Sequence, residues 1–281
     1  MILSDLALFV NSSFITSLVG ALAGAFAGAY AAQRVAERAR IREELTREIR
    51  HVNAALGLAV GIANSALATK RQHVLPLKLD YDAQVKRYSD WKAAQASTAS
   101  TQPAIYDIGL MDFKTFPMIS APISALQDFV YTRINVIGRP INLVVTLSES
   151  LQNLATAISH RNELINSFKN ESFPYGASRE TMYLGLPYGQ GKTNQEYPDT
   201  VAAISSYTDC VIFFSILLTT DLRNHGLKVT KQFSKSLGSS APRVALADFA
   251  ASRELGLIPS DDEFCDWLKS FKVEDGPLSP T

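Results

Sequence analysis

The chain has 281 residues, enough for one large domain or two small ones, and its 27 Lys and Arg balance 27 Asp and Glu, so no global charge bias marks a nucleic-acid binder. An apolar fraction of 47% suits a packed protein and is too low for a multi-span transporter. The two cysteines, Cys210 and Cys265, lie too far apart for a disulfide framework or a metal knuckle, and point to inert thiols in a reducing compartment.

From Leu6 to Gln33 no residue is charged; then Arg34, Arg38, Arg40, Arg42, Arg47 and Arg50 follow. Phe14 to Ala32 is long enough to cross a hydrocarbon core of about 30 Å at ~1.5 Å per residue. A cleaved secretory signal needs a basic leader, and residues 1–13 carry no Lys or Arg. A buried helix of a soluble body is the remaining alternative. As a span, the segment is oriented by its arginine collar, with the N-terminus outside and the bulk of the chain in the cytoplasm.

Within this span VGALAGAFAGAYAA, Val19 to Ala32, places glycine at Gly20, Gly24 and Gly28. Each glycine weakens a helix in water by roughly 1 kcal/mol against alanine. At ~100° per residue Ser13, Thr16, Ser17, Gly20, Gly24, Ala27, Gly28 and Ala31 share one face, while Phe14, Ile15, Leu18, Val19, Leu22, Phe26 and Tyr30 fall opposite. In lipid, small residues let helix backbones approach, so the smooth face predicts self-association. Two arrangements fit: a tight dimer that only anchors, or a ring of three or more helices around a narrow water-filled path.

Ala36 to Arg50 interleaves arginine with Glu37, Glu43, Glu44 and Glu48 at spacings that allow i,i+4 pairs. Ile41, Leu45, Ile49, Val52 and Leu56 form an apolar seam, and the reading is one long helix from the span to about His73. Asn53, Gly57, Gly61 and Ser65 make a second small-residue stripe. The uncharged run from Val52 to Thr69 reads as a helix packed tightly inside the body or against a sister subunit, with a second span as the alternative. Pro76 is expected to end this helix.

Residues 79–100 read as a polar helix that fades into a loop, AlaSerThrAlaSerThrGlnPro. A helix is expected over Pro122 to Ile137, broken by Gly138 and followed by another starting at Pro140. In that next helix Val144, Leu147, Leu151, Leu154, Ile158, Arg161, Ile165 and Phe168 keep a strict three–four rhythm, with Arg161 the one charge on the seam. Met182 to Leu186 is a candidate hairpin strand. A last long helix is predicted from about Thr200 to Lys235, its seam being Val201, Ile204, Thr208, Val211, Ser215, Leu218 and Leu222. Its apolar centre, nine residues from Cys210 to Leu218, is too short to span and suits a buried helix. Pro242 to Lys272 reads as an appendage of short helices with a start signal at Ser260, and ProLeuSerProThr as a mobile tail. The expected class is all-α: residues 1–33 a segment with one transmembrane helix, 34–236 a cytoplasmic bundle of long helices, 237–281 the appendage and tail.

No enzyme is legible. GLPYGQGKT, Gly185 to Thr193, has five residues where a P-loop has four, and Leu186 stands in place of the required glycine. It reads as a glycine-rich surface loop. The four histidines have no metal-ligand spacing, and no serine sits in a nucleophile elbow. No residue pattern points to a cofactor. What remains is a set of basic residues near helix ends or on seams: Lys70, Arg71 and His73; Arg139; Arg161; Arg223 and His225. Individually each reads as a solvated charge or an internal ion pair, and Arg161 is matched with Asp209 or Asp221. Were they to converge on a cleft, they would suit a phosphate-bearing ligand, because guanidinium forks match phosphate geometry.

The combination GALAGAFAGAYAAQR, NSALATKRQHVLPL and TDCVIFF…DLRNHG resembles a group of bacterial single-pass membrane proteins, over most of residues 14–235. The layout is similar to membrane effectors of anti-phage defence, such as the channel partner of Hailong-type systems. That resemblance implies an oligomeric inner-membrane ion channel built from Ser13 to Ala31. It also implies a cytoplasmic domain that senses a nucleotide or short oligonucleotide made by a nucleotidyltransferase partner. A membrane-tethered scaffold that binds another protein is the alternative class.

Overall fold

A computed structural model of the chain describes residues 13–97, 106–109 and 111–271, with the side chains described from residue 17 onward. The tail ProLeuSerProThr and most of the loop after Ser97 fall outside the described residues. Those described are all-α: helices α1 (Ser13–Thr69), α2 (Leu75–Ser97), α3 (Ile123–Asp128), α4 (Arg139–Lys169), α5 (Arg179–Leu184), α6 (Glu196–Leu237), α7 (Ala250–Glu254) and α8 (Cys265–Lys269). Among them there is no strand, and the one isolated bridge joins Tyr188 to Lys192.

The chain forms two compact units, Met1–Arg50 with Gly226–Val244, and His51–His225 with Ala245–Thr281. In the first unit every residue from Ser17 to Arg40 is exposed, and Ile49, Val229 and Phe233 are its buried apolar side chains. The second unit holds the main core. The α4 seam is buried as its rhythm predicts: Val144, Leu147, Leu154, Ile158 and Ile165 are at 0% exposure, Phe168 at 1%, and Leu151 is half-buried. Each such aliphatic side chain contributes about 1.5–3 kcal/mol by leaving water. The α6 seam is buried throughout, its hydroxyls satisfied by the helix itself, with Thr208 Oγ1 donating to Ile204 O and Ser215 Oγ to Val211 O.

Pro76 does not end the first helix. Lys70–Val74 forms a π turn, and Leu75 N–H donates to Lys70 O, five residues back. The chain re-enters α geometry at Leu75, which puts Pro76 in a first turn where a missing N–H leaves no broken bond. The third helix is shorter than expected. α3 passes into a π turn over Phe129–Arg133, and Ile134 is extended. Gly138, at φ +72, then sets the start of α4 with Pro140 in its first turn. Met182 to Leu186 is no strand: α5 is started by a Ser178 capping box and stopped by Gly185 at φ +67. A Cβ on Gly185 would meet the Gln195 amide at 2.7 Å, an amide that donates to Gly185 O.

The second small-residue stripe is not the packing face of α1. Val52, Ala55, Ala59, Ile62, Ala63 and Ala66 are buried, whereas Gly57 and Gly61 are exposed and a Cβ on either would meet nothing within 4 Å. By length and composition two helical runs can cross a membrane, Ser17–Ser97 and Glu196–Leu237, with 44% and 50% of the apolar window buried. Since residues 17–40 are all exposed, the half-buried window of the first run lies further along, in the uncharged stretch that begins at Val52. Both windows therefore supply core to the second unit. The short C-terminal helices join that core too: Phe264 stacks on Phe213 at 3.9 Å, and Trp267 lies 4.9 Å from Phe214.

Candidate functional site

The first candidate is the exposed half of α1. Its bulky face carries Leu18, Val19, Leu22, Phe26 and Tyr30 at 49–77% exposure, an apolar load that water does not favour. On the other side a Cβ on Gly20, Gly24 or Gly28 would meet nothing within 4 Å. Ser17, Ala27 and Ala31 share that open side, while the side chains of Ser13 and Thr16 lie outside the described residues. The apolar stretch ends at Tyr30, whose hydroxyl accepts Arg34 Nε at 3.0 Å and Nη2 at 2.7 Å.

The second candidate is the basic set, all within the second unit, and it does not converge. Lys70 Nζ donates to Asp209 Oδ1 at 2.6 Å, and Arg139 grips Asp221 through Nε at 2.8 Å and Nη2 at 2.6 Å. Arg161 pairs with neither carboxylate. Its Nη1 donates to Lys114 O at 2.7 Å, its Nη2 to Asp112 O at 3.4 Å, and its guanidinium lies 4.2 Å over the Phe116 ring. Asn162 completes this clamp, donating to Phe116 O and accepting Phe116 N–H. Arg161 thereby pins the 112–116 segment to α4 while fully buried, a role that a planar five-donor fork can fill without an anion.

Spacing along α6 shows how far apart these cations sit. Tyr197, which feels the Arg161 charge, Asp209 and Asp221 are each twelve residues apart, about 18 Å per step along a helix. His73 and Arg161 share a neighbour, the Phe116 ring, which lies 5.4 Å from the His73 ring and 4.2 Å from the Arg161 guanidinium. Arg71 is exposed, and Arg223 and His225 are half-buried beyond Asp221.

Burial sets the local electrostatics. It pushes the Asp209 carboxyl up, against the pull of Lys70, and pushes the Cys210 thiol up, which favours the protonated thiol over the thiolate. Asp221 raises Arg139 by direct hydrogen bonding. Tyr81 is pushed up to about 12 by burial, and Tyr183 and Tyr197 rise for the same reason.

Two grooves of the second unit are lined in part by carboxylates. One, of about 370 Å³, is lined by Lys78, Ser206, Asp209, Cys210 and Glu263; the other, of about 410 Å³, by Asn153, His160, Glu196, Asp199 and Tyr207. Carboxylates in both oppose the accumulation of phosphate. Among the described residues no three of His, Cys, Asp and Glu come together as metal ligands. The Gly185–Thr193 stretch is a tight turn, Tyr188 N–H donating to Lys192 O at 2.8 Å, with its tip exposed. Asp209 and Asp221 were legible as partners, but for the wrong arginine; Phe116 and Asn162 gave no signal in the sequence. No protein family, no curated protein and no solved structure matches the chain.

Proposed function

We propose that the chain is an oligomeric membrane effector. Its N-terminal helix crosses the bilayer, N-terminus outside, and meets copies of itself through the Gly20–Gly24–Gly28 face; the helical body lies in the cytoplasm. The observation that carries this reading is the wholly exposed, uncharged stretch from Ser17 to Gln33, bulky and apolar on one face and lined by glycine, alanine and serine on the other. Lipid would cover the first face, and a sister helix would fill the second. Following the resemblance, the assembly is an ion channel of the bacterial inner membrane acting in anti-phage defence. A nucleotide or short oligonucleotide from a nucleotidyltransferase would bind the body and shift α1. A ligand acts this way only by binding the open and closed forms differently.

A second reading is favoured by the fate of the cations. Lys70, Arg139 and Arg161 all have partners inside the chain. With these three engaged, a body that binds a partner protein, tethered by a passive span, needs no anionic ligand. Exchanging residues 14–32 for an unrelated poly-leucine span separates the two. A scaffold keeps its activity after the exchange, whereas a channel loses its conductance in reconstituted bilayers.

A further inference from the structure

Resting on the membrane reading of α1, we propose that the flank of α1 carrying Tyr30, Arg34 and Arg38 is a binding site for the phosphate of an anionic phospholipid. These three residues recur every fourth position, so they lie on one flank of the helix at the point where its uncharged stretch ends. Together with Gln33, Glu37 and Ile41 they line an open groove of about 350 Å³.

The charge of this segment is concentrated next to the apolar stretch. Residues 34–42 contain four arginines and one glutamate, a net charge of +3, and all but the half-buried Ile41 are exposed. Of these arginines, Arg40 is held by Glu44 at 3.6 Å, whereas neither Arg34 nor Arg38 forms an ion pair with a described residue. Arg34 instead aims two fork nitrogens at a single phenol oxygen, with its guanidinium 5.2 Å from the Tyr30 ring. A phosphate offers that fork two oxygens and a full negative charge, a better match than one neutral hydroxyl. Tyr30 is of the residue type that settles at the headgroup level, with its ring toward the chains and its hydroxyl toward water. Arg47 and Arg50 stand about 14 Å and 18 Å beyond Arg38 along the helix, further than a Debye length of about 8 Å, and take no part.

The site is tested on the full chain in detergent by native mass spectrometry, with phosphatidylglycerol and phosphatidylcholine of identical acyl chains as probes. The expected result is preferential retention of phosphatidylglycerol, weakened roughly thirtyfold in R34Q/R38Q and unchanged in R47Q/R50Q. Equal retention of both lipids overturns the proposal, as does a preference that survives R34Q/R38Q. Displacement by inorganic phosphate also overturns it, because the site would then recognise free phosphate and not a lipid. A chain recovered from the aqueous fraction without detergent overturns the membrane reading itself; a detergent-requiring chain with no headgroup preference overturns the lipid site alone.

Discussion

Gly24→Leu separates what α1 does alone from what it does with its copies. Within one chain a Cβ at Gly24 meets nothing within 4 Å, and its surroundings from Ser17 to Arg40 are exposed. Leucine is the better helix former by just under ~1 kcal/mol, so the body of the variant should melt at the wild-type temperature or slightly above it. Any loss must then come from a second chain. A leucine forced into a contact built for glycine overpacks it by about 1–3 kcal/mol, roughly five- to 150-fold in the association constant. The assay is the mass of the detergent-solubilised assembly together with its conductance in bilayers. Phe26→Leu, on the opposite face at a residue that is 77% exposed, is the control that should change neither. A wild-type mass and conductance in Gly24→Leu would refute packing through this face.

Two further predictions concern the body. Arg161→Ala should cost about 3–5 kcal/mol, since it removes two charge-assisted hydrogen bonds to the Lys114 and Asp112 carbonyls and empties a fully buried site. Arg161→Lys should recover little, lacking the planar fork, and a denaturation midpoint within error of wild type in either variant would sink the clamp. The buried tyrosines give stability a base-side limit. The Tyr81 hydroxyl sits at about 12 in the folded chain against 10.0 for the free group, so the folded state keeps a proton that the unfolded state sheds first. That contribution is complete below pH 10 and is lost as pH rises toward 12, on the order of 3 kcal/mol from Tyr81. Unfolding midpoints that stay level across this window would contradict it.

Periodicity was readable wherever one face of a helix meets the core. The α4 seam, with Arg161 on it, could be written down from its spacing because burial on one side leaves a regular trace. Small residues misled for a physical reason. On α1 both the alanine row at Ala55, Ala59 and Ala66 and the glycine row at Gly57 and Gly61 are smooth, and it is the larger Val52, Leu56, Ile62 and Leu67 that show which side turns inward. Asp209 and Asp221 could be picked out as partners, but which cation each takes was out of reach. Lys70 finds Asp209 across 139 positions and Arg139 finds Asp221 across 82, distances over which composition and spacing carry no signal. Pro76 was misread because the rule for proline assumes α geometry on its N-terminal side, and the π turn removes that assumption.

The Lys70–Val74 turn also constrains how this chain can change. Two of its members, Arg71 and Gln72, face solvent, and it holds one spare residue relative to an ordinary helical turn. Losing it would place Pro76 in the middle of a regular helix, where its ring strikes a carbonyl at a cost of about 3 kcal/mol. The surplus and the proline are thus a matched pair, and a lineage can shed both together more cheaply than it can shed the surplus by itself.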